Sequence, residues 1–335
     1  MLCLLGKFNK DLSTNSIFTL SNKVEKQIKK FKYKNKNFIF YIILLELPKR
    51  GSIDILKMIL EMSNVKKEYA MTDAEAAYFV YKWIVQNIEI DCLGSKYGNS
   101  TTLAATTYKE GKGGYIGISG LFNTICSFLD IESNTIFGKK KTITNNYTGN
   151  LIDLIDYSWN YISIDNKYYL IDVANGLGRC SGNRFYKNQR DDYFGIEPEI
   201  SIRHRFPNDK NWQLLSEPIT EEKFKSQAII DGDFFKCFKS ITPDIQTIKN
   251  QKNLKIKLKV KDSNIKKLYF SGIYEVKGEA PYISIGDDEA TVVNGTCEYT
   301  VDHYGTGYSF IDIKIKKDGK EEGCGGLSYE IIYNK

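Results

Sequence analysis

Gly113-Gly114-Tyr115-Ile116-Gly117-Ile118-Ser119-Gly120-Leu121-Phe122 is the stretch on which the fold of this 335-residue chain turns. It continues the glycine punctuation of Gly111-Lys112. It then sets Ile118, Leu121, Phe122, Ile125 and Leu129 at helical spacing until Asp130 and Ile131. That order specifies a tight turn feeding a helix with one apolar stripe. Glycine-rich turns before helices can cradle phosphate, through G-x-x-x-x-G-K-[ST] or G-x-G-x-x-G. This stretch fits neither: no Lys-Ser/Thr follows, and Ile116 stands where the last glycine of a dinucleotide fingerprint belongs.

Working outward, Thr72-Asp73-Ala74-Glu75 has the form of a capping box, and Ala76, Ala77, Val80, Trp83, Ile84 and Ile88 follow at helical spacing. Residues 91–112 read as a polar connection. On the other side come strands: 134–137, then an alternating run 157–164, a hairpin turn at Asp165-Asn166, and 168–173. Helices followed by antiparallel strands give an α+β order. From residue 251 Leu254, Ile256, Leu258 and Val260 alternate with Lys255, Lys257 and Lys259, a half-buried strand with a lysine-lined outer face. Further strands at 308–317 and 327–333, with a turn at Asp318-Gly319, suggest a small β-sandwich. The expected organisation is an N-terminal extension over 1–66, a core domain over 67–235, a linker over 236–250 and a β-sandwich-like domain over 251–335.

Composition narrows the function classes. Hydrophobic residues make 42% and charged residues 26%, a folded composition. There are only two histidines, His204 and His303, which removes most His-based metal sites and restricts general-base chemistry. The net charge of +6 is concentrated: Lys23 to Lys36 holds seven lysines against Glu25, so the remainder is neutral. The arm reads either as a solvated tail or as an attractant for an anionic surface. The seven cysteines (3, 92, 126, 180, 237, 297, 324) contain no C-x-x-C and come no closer than 27 residues. That predicts no zinc or redox pair, and reduced thiols of a cytoplasmic chain rather than disulfides. The sequons at Asn99, Asn146 and Asn294 carry little weight. The apolar run Phe38–Leu47 is too short to span a membrane, lies behind the lysine stretch rather than close to Met1 and has no small-x-small site after it; it reads as a buried helix or strand, and its mimicry of a signal-peptide core leaves secretion or membrane association open.

The central stretch resembles the nucleophile segment of the transglutaminase-like superfamily, G-x-C-x-G-x-S-x-L-F. Tyr157-Ser158-Trp159-Asn160-Tyr161-Ile162-Ser163-Ile164 is similar to that family's H-A-W-N-x-V-x-I, and Tyr168-Tyr169-Leu170-Ile171-Asp172 to W-Y-L-[IV]-D. Tyr81-Lys82-Trp83-Ile84-Val85-Gln86-Asn87-Ile88 resembles its Y-x-W-I-x-x-N-I helix. Asp192-Tyr193-Phe194, Pro198-Glu199, His204-Arg205-Phe206-Pro207 and Trp212-Gln213-Leu214-Leu215 resemble the kyphoscoliosis-peptidase branch. The resemblance covers residues 70–235. It implies a cysteine-protease-like α+β core with an appended β-domain and, in that branch, cytoskeletal adaptor roles beside a peptidase activity.

A Cys-His-Asp triad performs acyl chemistry in this family, with the cysteine at a helix N-terminus where the dipole favours thiolate. Residue by residue, the cysteine position is Tyr115, the histidine position is Tyr157, and only Asp172 keeps its identity. A phenol with a pKa near 10 neither replaces a thiolate nor shuttles protons as imidazole does. The resemblance therefore implies an inactive relative acting through protein or peptide contacts, with Gly113, Gly114, Ser119, Trp159 and Asn160 in or beside the old cleft. No cofactor, metal or specific nucleic acid is expected. The rival reading is a cysteine-type peptidase or acyl transferase with a relocated nucleophile. Cys126 lies eleven residues beyond Tyr115, about 16 Å along a helix at ~1.5 Å per residue, too far to share its pocket. Ser119 has no histidine near it in sequence, and His204 reads as structural. The packed alternative gives the tyrosines as hydrogen-bonded aromatic filling, Asp172 as their acceptor or a turn cap, and Trp83, Trp159 and Trp212 as core.

Overall fold

The computed structural model describes residues 54–97, 102–143, 152–230, 233–276, 283–303, 306–317 and 320–332. The Lys23–Lys36 arm, the Phe38–Leu47 run, Cys3, the sequons at Asn99 and Asn146 and the Asp318-Gly319 turn lie outside the described residues. Two compact units emerge, one within Met1–Phe137 and Ser158–Glu197, the other within Gly138–Tyr157 and Pro198–Lys335.

The first unit opens with α1 (Ile55–Glu68), whose Asp54 side chain accepts from the Leu56 and Lys57 amides at 2.8 and 3.0 Å. The capping box at Thr72 and Glu75 forms as the sequence indicates: Glu75 accepts from the Thr72 amide at 2.7 Å and its own amide turns back to Thr72 Oγ1. It starts α2 (Asp73–Asn87), which is buried on nearly every face. A short β1 (Glu89–Ile90) follows. The connection read as merely polar contains two helices, α3 (Cys92–Tyr97) and α4 (Ala104–Glu110). They escape a pattern search because they have barely two turns each and α4 buries only Thr107 and Tyr108. Gly111 closes α4 in the left-handed region at φ 68°. Then β2 (Lys112–Gly113) pairs parallel with β1 and delivers the chain into α5 (Tyr115–Phe128), whose buried stripe is Ile118, Leu121, Phe122, Ile125 and Cys126.

The sheet on which α5 depends is made by β3 (Ser133–Ile143), β4 (Ile152–Ile164), β5 (Lys167–Ile171) and, beyond α6 (Val173–Leu177) and the hairpin β6 (Gly178–Ser181) and β7 (Arg184–Lys187), β8 (Phe194–Ile196). Its order is β8-β5-β4-β3. The predicted hairpin turn is present, with Asp165 and Asn166 at φ 51° and 60°. It aligns Asn160 with Ile171 and Ile162 with Tyr169.

The second unit contains α7 (Pro198–His204), β9 (Arg205–Pro207) paired with the end of β3, α8 (Glu221–Ser226), β10 (Ile229–Ile230), α9 (Phe234–Cys237) and eight further strands. These are β11 (Phe238–Thr242), β12 (Thr247–Lys249), β13 (Asn253–Val260), β14 (Lys267–Val276), β15 (Ile283–Val293), β16 (Thr296–Asp302), β17 (Gly307–Lys317) and β18 (Lys320–Ile332). The stretch 236–250, read as a linker, thus holds β11 and β12. The strands run β10-β18-β17-β14-β15-β16-β13-β11 in one curled sheet, β12 adding to β18. Strand β13 alternates as predicted, Leu254, Ile256, Leu258 and Val260 inward and the lysines outward. Its lysine face meets acids: Lys257 lies 2.9 Å from Glu298 on β16.

The expectation of reduced thiols is overturned. Cys92 pairs with Cys180 and Cys237 with Cys324, at Cα separations of 5.6 and 5.8 Å. The partners stand 88 and 87 residues apart, so no local spacing announces them; only the folding of each unit brings them together. The described thiols left over, Cys126 and Cys297, are both buried. Among the described residues no helix is long and apolar enough to cross a membrane.

Candidate functional site

The entry to α5 is fixed by backbone. The Gly111 and Gly113 carbonyls accept from the Glu89 and Asp91 amides, each at 2.9 Å. Gly113 is required by crowding: a Cβ there would lie 2.6 Å from Thr107 Oγ1. Gly114 is the N-cap and offers no side chain to the first turn. Tyr115 is the first helical residue and is half-buried. Burial, and then the charge of Asp172, hold its phenol above the ordinary tyrosine range, so it remains neutral.

One turn on, Ser119 is buried and committed. Its hydroxyl lies 2.8 Å from Ser158 Oγ and 3.2 Å from the Ile116 carbonyl. Asn160 Nδ2 donates to the Ser119 carbonyl at 3.0 Å and reaches Thr135 Oγ1 at 3.3 Å. Ser119, Ser158 and Asn160 therefore form a polar seam between α5 and β4. Among the described residues the hydrogen-bond partners of this hydroxyl are a second hydroxyl and a carbonyl, whereas an activated nucleophile pairs with a base. Trp159 is buried next to them in sequence.

Asp172 is fully buried and N-caps α6. It accepts from the Asn175 amide and from Asn175 Nδ2, both at 2.9 Å, while its own amide donates to the Tyr193 carbonyl. Behind it, Tyr81 of α2 donates to the Arg190 carbonyl, and Gly176 packs so closely on that phenol that a Cβ would come within 2.0 Å of the hydroxyl.

Tyr157 belongs to the second unit. It is 2% exposed, and the Lys140 ammonium sits 4.7 Å from its ring centroid. His204 is also in the second unit; burial, then Arg205, Lys140, Arg203 and Lys141, push its pKa well below the ordinary value. His303 packs on the Tyr274 ring at 4.9 Å, and burial lowers it to about 4. The thiols are no better placed for chemistry. Burial pushes Cys126 far up, against Ser133 and Lys66, and Cys297 up to about 11; Cys92 is bridged. A nucleophilic cysteine needs the opposite environment, exposed and electropositive. Among the described residues no group of three His, Cys, Asp or Glu side chains could hold a metal ion.

The structure thus brings Tyr115 within electrostatic range of Asp172 and gathers Ser119 and Asn160 around Ser158, which sequence reasoning passed over. It also missed a pair in the second unit: Arg203, 7% exposed, holds Asp244 at 2.6 and 2.7 Å. Asp244 is 41 residues away, so spacing carries no signal for it.

Residues 63–173 match the profile of the transglutaminase-like superfamily. Over 187 residues the chain is 26% identical to kyphoscoliosis peptidase from Homo sapiens and 25% to that from Mus musculus. In both cases the aligned part is 54% of this chain and 28% of the relative. The Caenorhabditis elegans Lim and transglutaminase domain protein ltd-1 is 26% identical over 183 residues, half of this chain and a quarter of that protein. The chain therefore spans about a quarter of the length of the curated relatives it matches. With the glycine turn, the helix α5 and the strands β3 to β5 inside the matched segment, this chain carries a transglutaminase-like domain and is similar over that region to the kyphoscoliosis peptidases.

Proposed function

We propose that this chain is a catalytically silent transglutaminase-like protein that works by binding a protein or peptide partner. One observation carries the reading: the positions that correspond to the nucleophile and the base hold Tyr115 and Tyr157, and the carboxylate of Asp172 serves the Asn175 amide and side chain. The Tyr115 phenol is held neutral by burial. Phenols at the nucleophile and base positions supply neither the thiolate nor the imidazole that this acyl chemistry uses near pH 7. The rival, a relocated thiol nucleophile, finds no support in the buried Cys126 and Cys297.

The test uses the full chain with a peptide thioester and an electrophilic thiol probe. The wild type is expected to form no stoichiometric acyl adduct and to label no cysteine stoichiometrically while folded. Turnover of the thioester, or one cysteine labelled in every native molecule, would overturn the proposal. Tyr115→Cys combined with Tyr157→His tests the correspondence itself: a gained acyl-enzyme at position 115 supports it.

A further inference from the structure

We infer that this chain matures in an oxidising compartment outside the reducing cytosol, with both disulfides formed. The inference does not depend on whether the domain is catalytic. It rests on how the six described cysteines are partitioned. Four of them form Cys92–Cys180 and Cys237–Cys324, one bridge in each compact unit. Both Cα separations, 5.6 and 5.8 Å, lie in the middle of the range a bridge requires. The other two, Cys126 and Cys297, are wholly buried and raised in pKa. No described thiol is therefore exposed to exchange with a bridge. That is the arrangement expected of a chain that lives among oxidants; cytosolic proteins keep their thiols reduced, and paired cysteines there are rare. Each bridge also closes a loop of nearly ninety residues, for which the constraint on the unfolded chain is large.

The chemistry balances with one co-reactant. Each pair of thiols gives two electrons and two protons to the disulfide of a thiol oxidoreductase, which leaves as a dithiol while the protein S–S bond forms.

The experiment takes the protein from its own cells. Cells are quenched in acid, denatured and alkylated with N-ethylmaleimide before any reductant is added, and the peptides are mapped. The expected result is linked peptides for Cys92 with Cys180 and for Cys237 with Cys324, with four further alkylation sites appearing only after reduction. Either pair carrying N-ethylmaleimide before reduction overturns the inference. A protease-shaving arm on intact cells reads location directly: digestion of the chain without lysis, or its recovery from the medium, is expected, and full protection together with cytosolic fractionation overturns the inference.

Discussion

Removing the bridge between Cys237 and Cys324 gives the most quantitative check on the second unit. The perturbation is the double substitution Cys237→Ala with Cys324→Ala, which takes away the link with little change in volume. Cys324 is fully buried near the start of β18, and Cys237 ends α9. The partners are 87 residues apart. A closed loop of that length costs the unfolded chain about 15 cal/mol/K, so its release favours unfolding by about 4.6 kcal/mol at 25 °C. For a unit of this size each kcal/mol moves the midpoint by roughly 2–4 °C, which gives a fall of roughly 9–18 °C. Differential scanning calorimetry on the oxidised wild type, the reduced wild type and the double variant measures it, with intact mass recording the bridges. The variant should lose the reductant sensitivity that belongs to this unit. A fall of less than about 3 °C, with the bridge demonstrably present in the wild type, would refute the loop-entropy argument.

Glu75, buried under the capping box, has its pKa raised by burial from 4.5 to about 7. The folded state prefers the neutral carboxyl, so this residue costs stability progressively as pH rises from about 4.5 to 7 and by a constant amount above that; the shift corresponds to roughly 3 kcal/mol. Glu75→Gln should remove that loss, and urea midpoints at pH 5 and pH 8 compared with the wild type check it. Within the Arg203–Asp244 pair the two halves are unequally exposed, 7% against 37%. Asp244→Asn strands a buried guanidinium and should cost roughly 3–5 kcal/mol, whereas Arg203→Met leaves a carboxylate that water can reach and should cost less; equal losses in urea unfolding would contradict this. Finally, Cys126 and Cys297 should resist alkylation in the native chain and react fully in denaturant, as read by peptide mapping; rapid native labelling of either would show that its burial is not maintained.

Elements with dense local signals are legible in the amino-acid order itself. The Thr72–Glu75 box, the α5 stripe, the Asp165-Asn166 turn and the β13 alternation all depend on residues a few positions apart, and all are present. The resemblance of the central stretch to a transglutaminase-like segment is legible for the same reason, since the turn and the helix that carry it are contiguous. Helices α3 and α4 are not legible in this way, because two turns without an apolar stripe leave no period to detect.

The candidate site divides along the same line. Sequence alone names which residues occupy positions 115, 157 and 172, and elementary acid–base chemistry says what the phenols of Tyr115 and Tyr157 lack. That Asp172 spends its carboxylate on Asn175 is local too, a three-residue cap. The seam from Ser119 to Ser158 joins positions 39 residues apart, Arg203 meets Asp244 across 41, and the cysteine pairs close across 88 and 87. Contacts of that range have no period and no spacing rule. Chain connectivity leaves them undetermined, and the packing of helices on sheets alone selects which distant side chains meet.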